Sequence, residues 1–205
     1  MRHVALVLTF ALAIVRPSFG ATIFTDNFES SLPASVLNAN VPGWVALNGT
    51  VDYLKNYGGL PCRGAACIDL DGSTSNAADF ESATTFNLLA GNVYTLTYWF
   101  SGNSRGGLDS MTVSFGGLTN THTNIPFNAP FTQFSIVVAP LVDTTSTILF
   151  SHAGGDNVGL LLDDVSLDGS LPAPVPEPSL LLLLGAGLLG GVRRLRTRAR
   201  TTQAG

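Results

Sequence analysis

Two cysteines, Cys62 and Cys67, are separated by four residues in the segment P-C-R-G-A-A-C. Thiols at this spacing can close a tight loop as a disulfide or supply two ligands to a metal. A structural zinc site usually has four ligands, and this pair alone provides two. Because the N-terminus indicates export to an oxidising compartment, the spacing predicts a Cys62–Cys67 disulfide, with metal binding as the minor alternative.

Signatures of catalysis are missing from the sequence. It contains no G-x-S-x-G, H-E-x-x-H or phosphate-binding loop. His122 and His152 are distant from each other and belong to no coherent Ser/His/Asp spacing. A glycosidase needs only two carboxylates, but the sequence does not single out a pair. We therefore expect a protein that is not an enzyme, with an unrecognised hydrolase as a third-ranked alternative.

Aromatic and polar side chains of the central region could bind a sugar. Aromatic faces stack on sugar rings, while amides and carboxylates form hydrogen bonds with hydroxyl groups. The candidates are Trp44, Tyr53, Tyr57, Trp99, Asn103, Arg105 and Asp109. The alternative is structural: Trp44 and Trp99 would belong to the core, and the Asn and Gly residues after residue 100 would serve a turn.

Short β-strands must position these residues. Residues 93–100 put Tyr94, Leu96, Tyr98 and Phe100 on one face, and 111–115 alternate in the same way. Further strands are predicted at 131–138, 147–151 and 160–167, with weaker ones at 22–28, 51–54, 66–70 and 83–88. Gly/Asn/Asp/Ser clusters separate them, and Asp69-x-Asp71-Gly72 is interpreted as a turn. The pattern predicts an all-β fold, an antiparallel β-sandwich or jelly roll covering 21–170.

Charge is unevenly distributed along the 205 residues. The region 21–170 carries thirteen acidic and three basic residues, a net charge of −10, whereas 193–205 holds five arginines and no acid. An acidic domain repels phosphate backbones, so no nucleic-acid partner is expected.

The N-terminus, residues 1–20, has the pattern of a secretory signal peptide. Arg2 provides the positive charge, 3–15 form an apolar segment, and Pro17 precedes small residues before Ala21. A thirteen-residue apolar segment is short for a bilayer core of about 30 Å, so we expect a cleaved signal helix.

The C-terminus has three parts. Residues 171–178 form a Pro-rich linker, 179–192 an uncharged Leu-rich segment that predicts a short transmembrane or sorting helix, and 193–205 an Arg-rich tail expected in the cytoplasm. Fourteen helical residues rise only about 21 Å, so spanning would be marginal. An ordinary tail anchor is the alternative to a sorting signal.

This C-terminus resembles the PEP-CTERM sorting signal. The resemblance rests on Val175, Pro176, Glu177 and Pro178, the apolar segment, and the basic cluster that begins at Arg193 and Arg194. It implies a Gram-negative, exopolysaccharide-producing bacterium and processing by an exosortase. It also implies transient residence in the inner membrane before the protein reaches the cell surface or extracellular matrix.

The central domain resembles galactose-binding-like jelly rolls, including carbohydrate-binding modules. The resemblance rests on the start D-N-F-E at 26–29, the segment C-I-D-L-D-G at 67–72, and the end L-D-D-V-S-L at 162–167. It implies that the first and last strands lie side by side, and that a calcium ion often ties them together.

The residues themselves allow such a structural Ca²⁺ site. Strand alternation points one of Asp163 and Asp164 toward the core, where a lone carboxylate is costly unless it is paired or bound to a metal. Asp26 and Glu29 could complete the oxygen ligands. The alternative is that these acids accept backbone N–H bonds or cap a loop.

Two functional hypotheses follow from these observations. In the first, an exosortase-sorted surface or matrix protein binds polysaccharide through its β-sandwich without cleaving it. In the second, the domain is a structural protein of the envelope or biofilm and has no sugar site.

Overall fold

The fold is built from β-strands. The computed structural model describes residues 20–74 and 76–170, and no helix occurs in those residues. The thirteen strands are β1 (Ala21–Asp26), β2 (Trp44–Leu47), β3 (Asp52–Lys55), β4 (Ala66–Asp69), β5 (Asp79–Ser82), β6 (Phe86–Leu88), β7 (Val93–Ser101), β8 (Leu108–Phe115), β9 (Leu118–Pro126), β10 (Thr132–Val138), β11 (Thr144–Ser146), β12 (Leu149–His152) and β13 (Leu161–Ser170).

Two main sheets form a sandwich. The six-stranded sheet has the order β10-β7-β13-β4-β3, with β1 also paired to β13, and the five-stranded sheet has the order β2-β5-β12-β8-β9. A short third sheet joins β6 to β11. Every pairing between these strands is antiparallel. The predicted all-β sandwich is therefore confirmed, while the predicted flanking helices at 1–20 and 179–192 lie outside the described residues, apart from Gly20.

The core lies between the two main sheets and follows the alternation of the strands. On β7 the predicted inward face, Tyr94 to Phe100 in steps of two, is buried, and the intervening residues are half-buried. Val113 and Phe150 approach from the five-stranded sheet and belong to the same apolar cluster. Burying each such side chain contributes about 1.5–3 kcal/mol, so this layer supplies most of the stabilisation.

The last strand, β13, occupies the middle of the six-stranded sheet. One edge pairs with β7 along its length. The other edge pairs with β4 at Leu161 and Leu162, and then with β1, where Ala21 lies opposite Gly169. The ladder is interrupted between Asp163 and Ser166 by a bulge. The expectation that the first and last strands lie side by side is confirmed.

A disulfide joins Cys62 to Cys67, whose Cα atoms are 5.4 Å apart. Cys67 is fully buried on β4, and Cys62 lies in the preceding loop. Both sulfur-bearing residues pack with Leu54 and Leu161 in a small apolar cluster outside the main core. The bond thus fastens the loop between β3 and β4 to the outer face of the six-stranded sheet.

Loss of this disulfide is expected to lower the free energy of unfolding by about 2 kcal/mol, because a closed loop of roughly six residues restricts the unfolded chain. Urea unfolding with and without reductant measures the difference. A Cys62→Ala/Cys67→Ala variant is the control, since reductant should leave its midpoint unchanged. Equal midpoints for the oxidised and reduced parent would contradict the prediction.

Candidate functional site

Several strand ends and loops meet at one end of the sandwich. β4 ends there at Asp69, β12 ends at His152, and β13 begins at Leu161, which lies opposite both Asp69 and Ser101. We call this the loop end and define it by residues 69–72, 102–109 and 152–160. A concentration of polar side chains, mostly buried, distinguishes it from the rest of the domain.

Asp69 anchors the loop end from inside. Its carboxylate is fully buried, forms an ion pair with the Arg105 guanidinium, and accepts hydrogen bonds from the backbone N–H of Gly159 (2.8 Å) and Asp71 (3.1 Å). Burial raises the pKa of Asp69 to about 7, while the Arg105 charge and these hydrogen bonds pull it in the opposite direction. Asp69 therefore holds the loops that follow β7 and β12.

Asp71 holds the loop after β12 in the same way. One carboxylate oxygen, Oδ2, accepts hydrogen bonds from the N–H of Gly155 (2.9 Å) and Asp156 (3.3 Å). The other oxygen, Oδ1, is buried without a protein partner. A Cβ atom at Gly154 would lie 2.6 Å from Cγ of Asp71, so only glycine fits against this carboxylate.

The structure brings Asn103, Arg105 and Asp109 together: the first two lie in the loop after β7, and Asp109 is the second residue of β8. The Asn103 amide donates hydrogen bonds to Asp109 (2.8 Å) and to the carbonyl of Gly106 (2.9 Å), and its oxygen accepts from the N–H of Arg105 (2.6 Å). Burial raises the pKa of Asp109, and the Asn103 bond opposes that shift. Because Asn103 and Asp109 are buried, they shape the loop, and only Arg105 reaches the surface.

His152 is a central residue of the loop end that sequence reasoning left unassigned. Its Nε2 accepts a hydrogen bond from the N–H of Leu160 (3.2 Å), which places the proton of the neutral ring on Nδ1. Nδ1 is buried and has no protein partner. Burial lowers the pKa of His152, and the charges of Asp71 and Asp156 oppose this in part. The lowered pKa keeps the ring neutral near pH 7, and its side chain is fully buried.

Two shallow clefts share His152 as a common wall. One, of about 300 Å³, is lined by Asn48, Asn76, Ala77, Gly154 and Gly155. The other, of about 230 Å³, is lined by Ser110, Met111, Thr112, Thr121, Ser151 and Ala153. We call them the His152 clefts. Their amides, hydroxyls and backbone groups can exchange hydrogen bonds with a ligand rich in hydroxyl groups.

Two of the predicted aromatic ligands are core residues. Trp44 is 6% exposed, stacks on Phe80 with ring centroids 4.7 Å apart, and donates its indole N–H to Asp26 (2.8 Å). Tyr53 is fully buried and donates its hydroxyl to the carbonyl of Phe28 (2.8 Å). The prediction that Trp44 and Tyr53 face a glycan is wrong, because their rings complete the core.

The other two aromatic candidates lie away from the loop end. Trp99 is half-buried on the outer face of the six-stranded sheet, and the Arg63 guanidinium covers its ring at 3.6 Å from the centroid. Tyr57 is 46% exposed in the loop between β3 and β4. That loop leaves β3 at Lys55, the end of the strand away from Asp69. The structure does not combine these rings with the His152 clefts.

The four carboxylates predicted to bind calcium are occupied by protein donors. Asp26 accepts from the Trp44 indole and from the N–H of Phe28. Glu29 accepts from the N–H groups of Ala65 (2.8 Å) and Ala66 (3.1 Å). Asp163 accepts a hydrogen bond from the backbone N–H of Arg63, and Asp164 accepts one from the Arg63 guanidinium.

A positive side chain also lies among these groups. The Lys55 ammonium donates to the carbonyls of Glu29 (2.8 Å) and Leu32 (3.2 Å), oxygens that a cation would otherwise attract. Within 20–74 and 76–170, no three His, Cys, Asp or Glu side chains are grouped to hold a metal. These carboxylates accept backbone and side-chain donors, the arrangement described by the structural alternative, and the calcium site stays a prediction.

The sorting residues, Val175 to Pro178 with Arg193 and Arg194, lie outside the described residues. The tail 193–205 and the signal segment 1–20, apart from Gly20, also lie outside them. In the part that is described, no helix is long and apolar enough to cross a membrane.

Comparison with known proteins identifies the C-terminal segment. Residues 174–196 match the PEP-CTERM protein-sorting motif, so the predicted resemblance of this segment is confirmed. The motif marks an exported surface protein that is processed by an exosortase. No curated protein matches the chain at a significant level.

Three solved structures illustrate the likeness of the sandwich. One is the CBM22-1–GH10 part of xylanase 10B from Clostridium thermocellum complexed with xylohexaose (19% identity, 78% of this chain, 30% of that chain, TM-score 0.47). Another is the CBM22-1 xylan-binding domain of Xyn10C from Paenibacillus barcinonensis (14% identity, 77% of this chain, 100% of that chain, TM-score 0.47). The third is the K1 cleaved adhesin domain of Lys-gingipain from Porphyromonas gingivalis (15% identity, 72% of this chain, 98% of that chain, TM-score 0.47).

Proposed function

We propose that this protein is a cell-surface or extracellular-matrix protein whose β-sandwich binds a polysaccharide without cleaving it. The single observation that carries the proposal is the pair of His152 clefts. They share His152 as a common wall, and amide, hydroxyl and backbone groups contribute to the lining of both. Such groups bind sugar hydroxyls through several modest hydrogen bonds rather than one strong contact.

The charge of the domain favours a neutral polysaccharide. Residues 21–170 have a net charge of −10, and Asp71, Asp79 and Asp156 lie at or beside the first cleft. A polyanionic chain would be repelled, whereas carboxylates accept hydrogen bonds from neutral sugar hydroxyls. Arg105, the one basic residue of the loop end, is already neutralised by Asp69.

The proposal includes two further partners of the protein, an exosortase and the inner membrane. An exosortase recognises Pro176-Glu177-Pro178, residues 179–192 hold the chain in the inner membrane of a Gram-negative bacterium, and the processed domain is released to the surface or the exopolysaccharide. Support comes from the match over 174–196 together with the arginines from Arg193 onward.

Affinity electrophoresis with soluble xylan, dextran and alginate tests the binding site. We expect retardation by at least one of the neutral polymers and none by alginate. An Asn76→Ala/Thr121→Ala variant, with one change in each cleft, should lose roughly tenfold in affinity, the effect of about 1.4 kcal/mol. Reducing ends should not be released from the bound polymer.

An Asn87→Ala/Thr145→Ala variant is the matched control. These residues are also an exposed Asn and Thr, and they lie opposite each other on β6 and β11. The control should bind like the parent. Equal affinity of the two variants for the polymer would show that the His152 clefts do not bind it. If no polymer retarded the protein, the proposal of polysaccharide binding would be overturned.

A structural role in the envelope or biofilm, without a sugar site, is the second candidate. The observation in its favour is that Trp44 and Tyr53 are core residues and that Arg63 covers Trp99. The His152 clefts accordingly have no aromatic wall. This candidate predicts that none of the three polymers is bound.

A further inference from the structure

The end of the sandwich opposite the loop end carries exposed apolar side chains. The loop 89–92 and the loop 140–143 are tied together there, since Gly91 donates to the carbonyl of Pro140 (3.1 Å) and Ala90 to the carboxylate of Asp143 (2.8 Å). Leu141 is 94% exposed and Val142 is 72% exposed. We call this the terminal end.

Three further apolar residues, Leu89, Leu118 and Ile23, lie at the terminal end. Leu118 follows the Gly116–Gly117 turn, and a Cβ at Gly116 would touch Leu88 of β6, so this turn adjoins the loop 89–92. Ile23 packs over Gly169 near the end of β13. Leu89, Leu118 and Ile23 are each about half exposed. Among residues 20–74 and 76–170, the terminal end therefore offers several apolar side chains that are exposed to solvent.

The chain enters and leaves the sandwich at this same end. Ser170, the last residue of β13, lies opposite Val93, and Ala21 lies opposite Gly169. The Leu-rich sorting segment begins only nine residues after Ser170, a connection that cannot exceed about 30 Å even when fully extended. A membrane that holds residues 179–192 must therefore lie within that distance of the terminal end.

We propose that the terminal end is a membrane-docking surface, with Leu141 and Val142 entering the headgroup region of the bilayer while residues 179–192 anchor the chain. The proposal rests on the membrane-held intermediate of the proposed function, but not on polysaccharide binding. Apolar side chains at interfaces insert to the boundary between headgroups and acyl chains. The loop end, with the His152 clefts, then points away from the membrane.

The charges at the terminal end indicate which lipids it fits. The three basic residues within 20–74 and 76–170, Lys55, Arg63 and Arg105, are elsewhere, whereas Asp143 and Asp168 lie at this end. Attraction to anionic lipids cannot contribute. Docking should therefore occur on zwitterionic phosphatidylcholine and be insensitive to salt.

Tryptophan scanning of the full chain in vesicles tests the docking surface. Leu141→Trp is compared with Leu108→Trp, a matched control because Leu108 is also an exposed leucine but lies at the loop end. In vesicles of phosphatidylcholine brominated on its acyl chains, the emission of the Leu141→Trp protein in excess of the parent, which carries Trp44 and Trp99, should fall and shift to the blue. The excess emission of the Leu108→Trp protein should match its value in unbrominated vesicles.

The outcomes separate the parts of the argument. Failure of the full chain to float with vesicles would overturn membrane anchoring, and docking with it. Flotation with equal emission at both positions would overturn docking alone. A blue shift at position 141 that grows with protein density but is insensitive to bromine would assign the surface to a second copy of the chain instead. Polysaccharide binding is measured separately and is unaffected by any of these results.

Discussion

Replacement of Trp44 with alanine is expected to lower the free energy of unfolding by about 3–5 kcal/mol, the usual cost of removing a large aromatic from a core. The indole stacks on Phe80 and contacts the rings of Phe24, Phe28 and Phe150, with centroids 5.8–6.0 Å away. Alanine would leave a cavity among four aromatic rings and remove the donor to Asp26. Urea unfolding followed by circular dichroism measures the change.

Two variants distinguish a core role from a surface role of these tryptophans. Trp44→Phe retains an aromatic ring and loses mainly the bond to Asp26, at a cost of about 1–2 kcal/mol. Trp99→Ala, at a half-buried outer position, should cost less than Trp44→Ala. A Trp44→Ala protein that kept the stability of the parent but lost polysaccharide binding would contradict the core assignment.

Stability of the domain should fall as the pH rises from about 4 to about 7. Burial raises the pKa of Asp69 to about 7, and it raises the pKa of Asp163 to the same value, helped by the charges of Asp164 and Glu29. In the unfolded chain an aspartate titrates near 3.9. Between these pH values the folded state holds more protons than the unfolded state, so deprotonation favours unfolding.

The expected loss is on the order of 4 kcal/mol for each carboxyl, because the pKa of about 7 lies about three units above the unfolded value and one unit corresponds to about 1.4 kcal/mol. Urea midpoints at pH 5, 6, 7 and 8 measure it. Asp69→Asn and Asp163→Asn should each flatten the slope, whereas Asp143→Asn, at an exposed position, should keep it. A midpoint that rises between pH 5 and pH 7 would have the wrong sign for this mechanism.

Much of the fold could be predicted because the core strands alternate clearly. Residues 93–100 and 111–115 correspond to β7 and β8, with the inward faces as predicted on β7. β9 was not predicted, since its Thr, Asn and His residues form an edge strand that is largely exposed. Gly116 and Gly117 both have positive φ and form the two-residue turn of a hairpin, a signal that could have revealed β9.

The candidate site was harder to predict because its determinants are non-local. Asp69 and Asp71 were interpreted as parts of a turn, and their hydrogen bonds to Gly155 and Gly159 cross more than eighty positions of the chain. His152 carried no motif, and only the packing of the loop end makes it a wall of two clefts. The aromatic residues were assigned by type, and type does not distinguish a core ring from a surface ring.

The position of β13 has a consequence for export. This last strand separates β7 from β4 and β1 in the six-stranded sheet, so the sheet cannot be completed until residue 170 has crossed the membrane. Contacts between residues near 21 and near 169 have a very large sequence separation, which slows folding. The sorting motif follows directly, at 174–196. Completion of the fold and arrival of the sorting signal at the translocation pore thus fall at the same stage of export.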